Sequence, residues 1–374
     1  MAEIFSAPDP TEAAHDQKFL NRETIGGLII FIAALCSLLL ANSSFASKFL
    51  KILETEFSVF ALHFTIQEFI GDFLMAIFFA VAGAELRREF TIGSLNSIQT
   101  AAVPITAAAS GMLVPALIYV SLGGSKAGWA IPTATDLPFC LAILAIFGRA
   151  LPSALRGFLL SLAIADDLGA ILIIAIFFSS QINWIGIFIA IFFFFAAYLL
   201  RKSIFIVLPG LLAWYFLVFA GIHGTVAGLL IGLFVHQQQS EKVEQWLQPI
   251  SAYFVLPLFA LSALAIQVSN FSDPLSQNIA IARVIGKPIG ILLGAWLIAR
   301  FTKARLNPEI GWLDVATIGV LCGIGFSVAL LVSEISLSTQ DYSRAASGLV
   351  YGALISGVIA ALMLNLRSRK LKIN

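Results

Sequence analysis

The sequence predicts an all-α polytopic membrane protein, and three observations carry that prediction. The first is composition: 59% of the 374 residues are hydrophobic and 11% are charged, with a mean hydropathy of +0.96. A soluble domain carries about 25% charged residues. The second is the grouping of apolar residues into twelve runs, at 24–42, 69–86, 98–121, 127–148, 154–179, 184–200, 204–220, 221–236, 250–268, 279–299, 312–333 and 345–366. About 20 apolar residues cross the hydrocarbon core as a helix. The third is the placement of lysine and arginine. With a cytoplasmic N-terminus and twelve crossings, sixteen basic residues fall in cytoplasmic segments and four (Lys48, Lys51, Lys126, Arg344) fall outside, with Arg283 and Lys287 inside the membrane. This positive-inside bias puts both termini in the cytoplasm, and an odd number of crossings would scramble it.

Residues 1–23 read as a cytoplasmic tail, because the acids Glu3, Asp9, Glu12 and Asp16 replace the basic start of a signal peptide. Residues 24–366 then form one transmembrane domain, and 367–374 a second cytoplasmic tail. The longest outside segment, 42–68, contains the β-prone stretch Phe57–Ile66 with partial alternation, which predicts a hairpin. A lone hairpin is marginal in water, so it would gain most by pairing with another subunit. A net charge of +1 argues against a nucleic-acid partner, which would need a basic surface. Cys36, Cys140 and Cys322 lie far apart in apolar runs without metal-ligand spacing and read as packing residues.

Within the runs, the exceptions carry the information. Asp166 and Asp167 are adjacent in the fifth run, Asp72 and Asp136 lie in others, and Lys287 lies in the tenth. A charge at the bilayer centre costs roughly 2.5–3.5 kcal/mol on insertion scales, so such residues mark ion or substrate paths. Run four holds Pro132 and Pro138 on either side of Thr133–Asp136. Each proline removes a backbone donor and clashes with the preceding turn, which predicts an unwound segment there. Run eleven has a matching weak point at Gly319–Phe326, with Gly319, Gly323 and Gly325. Interruptions at corresponding places in two halves of a transporter point to its binding site, and irregular backbone survives at membrane depth only beside protein or a wet cavity. Lys287 is too deep to snorkel and calls for an acidic partner, while Arg283, one turn away, reads as snorkelled or structural. The end of the second helix carries Glu85, Arg88 and Glu89, either a solvated helix end or a cation-attracting mouth. Of His15, His63, His223 and His236, only His223 is a candidate for pH sensing.

Together these motifs resemble the NhaA-type sodium/proton antiporters. The resemblance rests on Ala134-Thr135-Asp136, Ile164-Ala165-Asp166-Asp167-Leu168-Gly169-Ala170, Gly286-Lys287-Pro288, Gly323-Ile324-Gly325-Phe326, Glu85-Leu86-Arg87-Arg88-Glu89, and Asp72 before Leu74-Met75-Ala76. It covers nearly the whole chain in order. It implies inverted repeats formed by helices 3–5 and 10–12, with discontinuous helices 4 and 11 crossing at their unwound middles. It also implies that Asp166 and Asp167 bind Na+ or protons, and that Asp136 and Lys287 balance the partial charges of the broken helix ends. Lys287 would pair with Asp166, and Glu85, Arg88, Glu89 and Glu244 would form a pH-responsive cluster at the cytoplasmic mouth. Gln245 and Gln248 stand where the family pattern has histidines, and Arg283 stands where it has an apolar residue. Pro138 and Leu261–Ala265 differ as well.

The resemblance implies a pH-regulated secondary transporter of a bacterial inner membrane, exchanging cytoplasmic Na+, and Li+, for external protons; two titrating groups against one monovalent ion predict that the exchange is electrogenic. It would work as a homodimer joined through 42–68, with no cofactor and no enzymatic activity. Sodium is a hard cation that prefers oxygen ligands, which Asp166, Asp167 and Thr135 can offer. Burial and mutual repulsion favour the protonated carboxyls, so protons would occupy the site at acidic pH and sodium at alkaline pH. Two rivals differ in class. A sodium-coupled symporter of an organic anion would use similar broken helices. An intramembrane aspartyl protease would need a Gly-x-Gly-Asp element, but Phe326 follows Gly323-Ile324-Gly325 here, and no His-Glu-x-x-His pattern occurs.

Overall fold

In a computed structural model the described residues are 10–91, 98–148, 151–178, 183–201, 203–302 and 304–373. They are almost wholly helical. A first helix, α1 (Pro10–Ala41), is followed by α2 (Ala46–Leu53) after a bend of 118°. Strands β1 (Glu56–Val59) and β2 (Leu62–Thr65) pair antiparallel and lead into α3 (Ile66–Thr91). Then come α4 (Ile98–Ser121), α5 (Leu137–Phe147), α6 (Ser153–Phe177), α7 (Trp184–Leu199), α8 (Val207–Phe219) and α9 (Gly224–Phe234). The last group is α10 (Gln237–Ile250), α11 (Leu256–Ala263), α12 (Pro274–Phe301), α13 (Trp312–Leu321), α14 (Ser327–Ser336) and α15 (Thr339–Ile373).

Six helical stretches among the described residues are long and apolar enough to cross a membrane, and the bent pair α1–α2 adds a seventh. Six further apolar helices are only 10–17 residues long. Large apolar side chains such as Phe31, Leu39, Phe188, Phe192, Leu293 and Leu362 point outward. This inverts the soluble pattern, and lipid is the solvent that accepts such a surface.

Small residues let the helices approach closely. On the α3–α9 contact, a Cβ at Gly228 would stand 2.0 Å from the Ala76 carbonyl oxygen, and one at Gly232 would stand 2.2 Å from that of Ala80. On the α4–α12 contact, a Cβ at Gly290 would lie 2.3 Å from the Ser110 carbonyl oxygen. The α4–α12 contact matters functionally because α12 carries Arg283 and Lys287.

Local signals explain several starts. Thr65 and Glu68 form a capping box at the start of α3, with Thr65 N–H donating to Glu68 Oε2 at 2.7 Å and Glu68 N–H to Thr65 Oγ1 at 3.1 Å. Asp273 caps α12 by accepting from Ser276 N at 3.0 Å. The Asp273 carboxyl also accepts from Arg344. Burial works against its charge, but these hydrogen bonds hold it below the usual carboxylate range.

The hairpin is supported by its own chain. Phe57 pairs with Phe64 across the strands, and Phe64 stacks on Trp214 of α8 at 6.3 Å. At the tip, Phe60 meets Tyr215 edge-on at 5.9 Å, and Ala61 N–H donates to the Tyr215 hydroxyl at 3.3 Å. Aromatic anchoring on α8 supplies the support that an isolated hairpin lacks.

Candidate functional site

The two interruptions meet in the middle of the helical assembly. The first follows a short 3-10 turn at Ile131–Thr133, after which Ala134 and Asp136 are extended, with φ/ψ of −79/150 and −112/97. Pro132 and Pro138 both fall beside helix starts, where a missing N–H costs least. The second runs from Cys322 to Phe326, between α13 and α14. Main-chain groups join them: Asp136 N–H donates to the Ile324 carbonyl at 3.0 Å. Thr135 Oγ1 donates to the Cys322 carbonyl at 3.3 Å, and the Cys140 thiol to that of Leu321 at 3.2 Å. Backbone that left its helix thus finds partners in the other interruption.

Charged side chains converge on this junction. Asp136 is buried, and its Oδ2 accepts from the Ser327 amide at 3.0 Å and from the Ser327 hydroxyl, at the N-terminus of α14. An anion there meets the positive end of the helix dipole. Lys287 and Asp166 form an ion pair of 2.8 Å between Nζ and Oδ2, both side chains essentially without exposure. The other Asp166 oxygen, Oδ1, is buried with no hydrogen-bond partner among the described residues, as is Asp136 Oδ1.

Asp167 is placed differently. It lines a small cavity of about 50 Å3 with Phe78 and Glu85 of α3, Leu141 of α5, and Gln248 and Ser251. The cavity lies toward the end of α3 that carries Arg88 and Glu89. Adjacent positions on a helix point about 100° apart, so one carboxylate faces the cavity while its neighbour turns to α12. Glu244 sits on α10, which packs against α3; the Glu244 side chain lies outside the described residues.

Arg283 is buried rather than snorkelled. Its guanidinium reaches inward to the two interruptions and not outward to the membrane surface. Main-chain carbonyls supply its hydrogen-bond partners.

Asp72 and His223 come together near the other end of α3. His223 Nδ1 lies 3.2 Å from Asp72 Oδ1, which also accepts from Gly224 N at 3.3 Å. Near them Glu334 of α14 accepts from Gln67 Nε2 at 3.2 Å. Sequence reasoning missed Glu334 and Ser327. Glu334 is an acid just past the eleventh apolar run, and that position was its available signal; Ser327 carries none. Cys140 and Cys322 are buried, Cys36 faces outward, and all three are free thiols.

No group of three metal-binding side chains occurs among the described residues. The arrangement combines a carboxylate at a cavity, a second carboxylate with one oxygen unpartnered among the described residues, and an ammonium paired with that second carboxylate.

Residues 17–364 match the family model described as Na+/H+ antiporter 1. The Na(+)/H(+) antiporter NhaA of Streptomyces avermitilis is 38% identical over 383 residues, covering 94% of this chain and 81% of that one. The protein of the same name from Mycolicibacterium smegmatis is 37% identical, with coverage of 96% and 90%. Na(+)/H(+) antiporter NhaA 1 of Kineococcus radiotolerans is 37% identical, with coverage of 98% and 93%. With a family match over nearly its full length and interrupted helices carrying buried carboxylates, the chain belongs to the NhaA family of Na+/H+ antiporters and is a multi-pass membrane protein.

Proposed function

We propose that the protein exports Na+, and Li+, in exchange for protons by competition at Asp166 and Asp167. The observation that carries this reading is the division of labour between the two carboxylates. Asp167 lines the cavity, while Asp166 is held by Lys287 through one oxygen and keeps the other unpartnered. Sodium entering the cavity meets Asp167 first. It then draws Asp166 away from Lys287 and completes an oxygen shell with Thr135 or freed carbonyls. Protons on the same carboxyls exclude sodium, so binding one ion releases the other.

In this reading the chain crosses the membrane twelve times with both termini in the cytoplasm of a bacterial inner membrane. The repeats would be α4–α6, including the 131–133 turn, and α12–α15, related by inverted symmetry. The cavity beside Glu85 is then the cytoplasmic entrance, and the cluster of Asp72, His223 and Glu334 lies on the external side. The face of the hairpin that carries the exposed Glu56, Ser58 and His63 would meet a second copy of the chain to form a homodimer.

Two titrating carboxyls against one monovalent ion imply more protons than sodium ions per cycle. Exchange in proteoliposomes should therefore accelerate under an imposed membrane potential of the favourable sign. Rates indifferent to that potential would rule out the electrogenic cycle.

The pH response should depend on acids at the entrance more than on imidazole. Gln245 and Gln248 cannot titrate, which leaves Glu241 and Glu244 as the acids of α10; the family arrangement would have them face Glu85, Arg88 and Glu89. Glu244→Gln is expected to shift the alkaline activation profile, and His223→Gln to shift it little. The measurement is apparent sodium affinity across the activating pH range. A shift of more than about one pH unit for His223→Gln, with none for Glu244→Gln, would reverse the assignment.

A further inference from the structure

Arg283 is the bulkiest fully buried side chain among the described residues. A guanidinium keeps its charge in proteins, so this cation must be balanced where it lies. Its hydrogen-bond partners are not carboxylates. Nε donates to the Gly323 carbonyl at 3.1 Å, Nη1 to that of Ile131 at 3.3 Å, and Nη2 to that of Ala134 at 2.7 Å. Gly323 follows the end of α13, Ile131 lies in the turn that precedes the first interruption, and Ala134 directly follows that turn. Helix ends of this polarity expose unsatisfied carbonyls and partial negative charge.

The junction is thus matched on both signs. Asp136 stands at the amide end of α14, and Arg283 stands at the carbonyl ends of both interruptions. The backbone is cut to fit the guanidinium: a Cβ at position 325 would fall 1.9 Å from Arg283 Nη2, so Gly325 leaves the space it fills. Lys287, one turn along α12, spends its ammonium on Asp166 at 2.8 Å.

We propose that Arg283 is a positioning residue for exchange, tying the two interruptions together and neutralising their carbonyl ends, while Lys287 acts on Asp166 alone. This rests on the exchange reading above. With Arg283 in place, Lys287 can leave Asp166 when sodium binds without stranding the carbonyl ends. Asp136 stands two residues from Ala134, whose carbonyl Arg283 holds, so the guanidinium and this carboxylate share the junction. Removing the cation therefore weakens the field at the junction that favours carboxylate charge over a bound proton.

The test compares Arg283→Met, Arg283→Lys and wild type, purified and reconstituted. Arg283→Met keeps a stem of similar shape without charge or donors. It should melt lower in detergent and exchange at least about tenfold more slowly, since misplaced groups cost rate steeply. Its half-activation pH should also move upward. Arg283→Lys restores the charge but cannot reach three carbonyls at once. It should return the half-activation pH toward wild type while leaving the maximal rate low. Wild-type rate and pH profile in Arg283→Met would overturn the proposal. So would a lower melting temperature with an unchanged pH profile and sodium KM, which would reduce Arg283 to packing. Failure of the exchange reading would appear separately, as a wild-type protein inert to sodium. The tie would then be judged on melting alone, where equality of Arg283→Met with wild type overturns it.

Discussion

Asp167→Asn is expected to abolish sodium-driven proton movement while expression and melting stay near wild type. Asparagine preserves size and hydrogen-bonding capacity but removes both the titratable proton and the anionic oxygens a hard cation requires. Asp167 lines the cavity and its side chain is not tied into the hydrogen bonds that join the interruptions, so the fold has little stake in its charge. Asp166→Asn should be severely defective as well, with a different signature: it removes the partner of Lys287 and leaves an ammonium buried alone. The pair separates transport chemistry from structural support. Exchange at the wild-type rate by Asp167→Asn would remove this residue from the mechanism.

Lys287→Ala should reduce both activity and stability. The Lys287–Asp166 pair has essentially no exposure, and removing one partner of a buried pair costs about 3–5 kcal/mol because the other charge is left uncompensated. Asp166 would respond by taking up a proton, which offsets part of the loss and makes sodium a poorer competitor. The expected result is a lower melting temperature in detergent together with weaker apparent sodium affinity at a given pH. Melting equal to wild type would place Lys287 against a wet cavity and detach it from Asp166.

The part of the site legible in the sequence was the part that breaks a rule. Asp136, Asp166, Asp167 and Lys287 stand out because charge is costly in an apolar run. The interruptions stand out because Pro132, Pro138 and three glycines cannot sustain a helix. What these residues touch was less accessible. The pairing of Lys287 with Asp166 came from family resemblance. The partners of Arg283 are main-chain carbonyls whose position exists only once two distant interruptions meet, and no residue pattern encodes that meeting. The support of the hairpin by Trp214 and Tyr215 was hidden for the same reason: aromatic residues in an apolar run look alike until packing chooses among them. Asp72 and His223 were each visible, yet their contact depends on the close α3–α9 approach that Gly228 and Gly232 permit.

The most direct measurement of the central claim is sodium-induced dissipation of a pH gradient by the purified protein in proteoliposomes, scanned from about pH 6 to 9. Competition of sodium and protons for Asp166 and Asp167 predicts that apparent sodium affinity rises with pH in the wild type and that Asp167→Asn shows no sodium-dependent signal at any pH. A sodium affinity independent of pH, or a sodium-driven signal surviving in Asp167→Asn, would contradict competition at the paired aspartates.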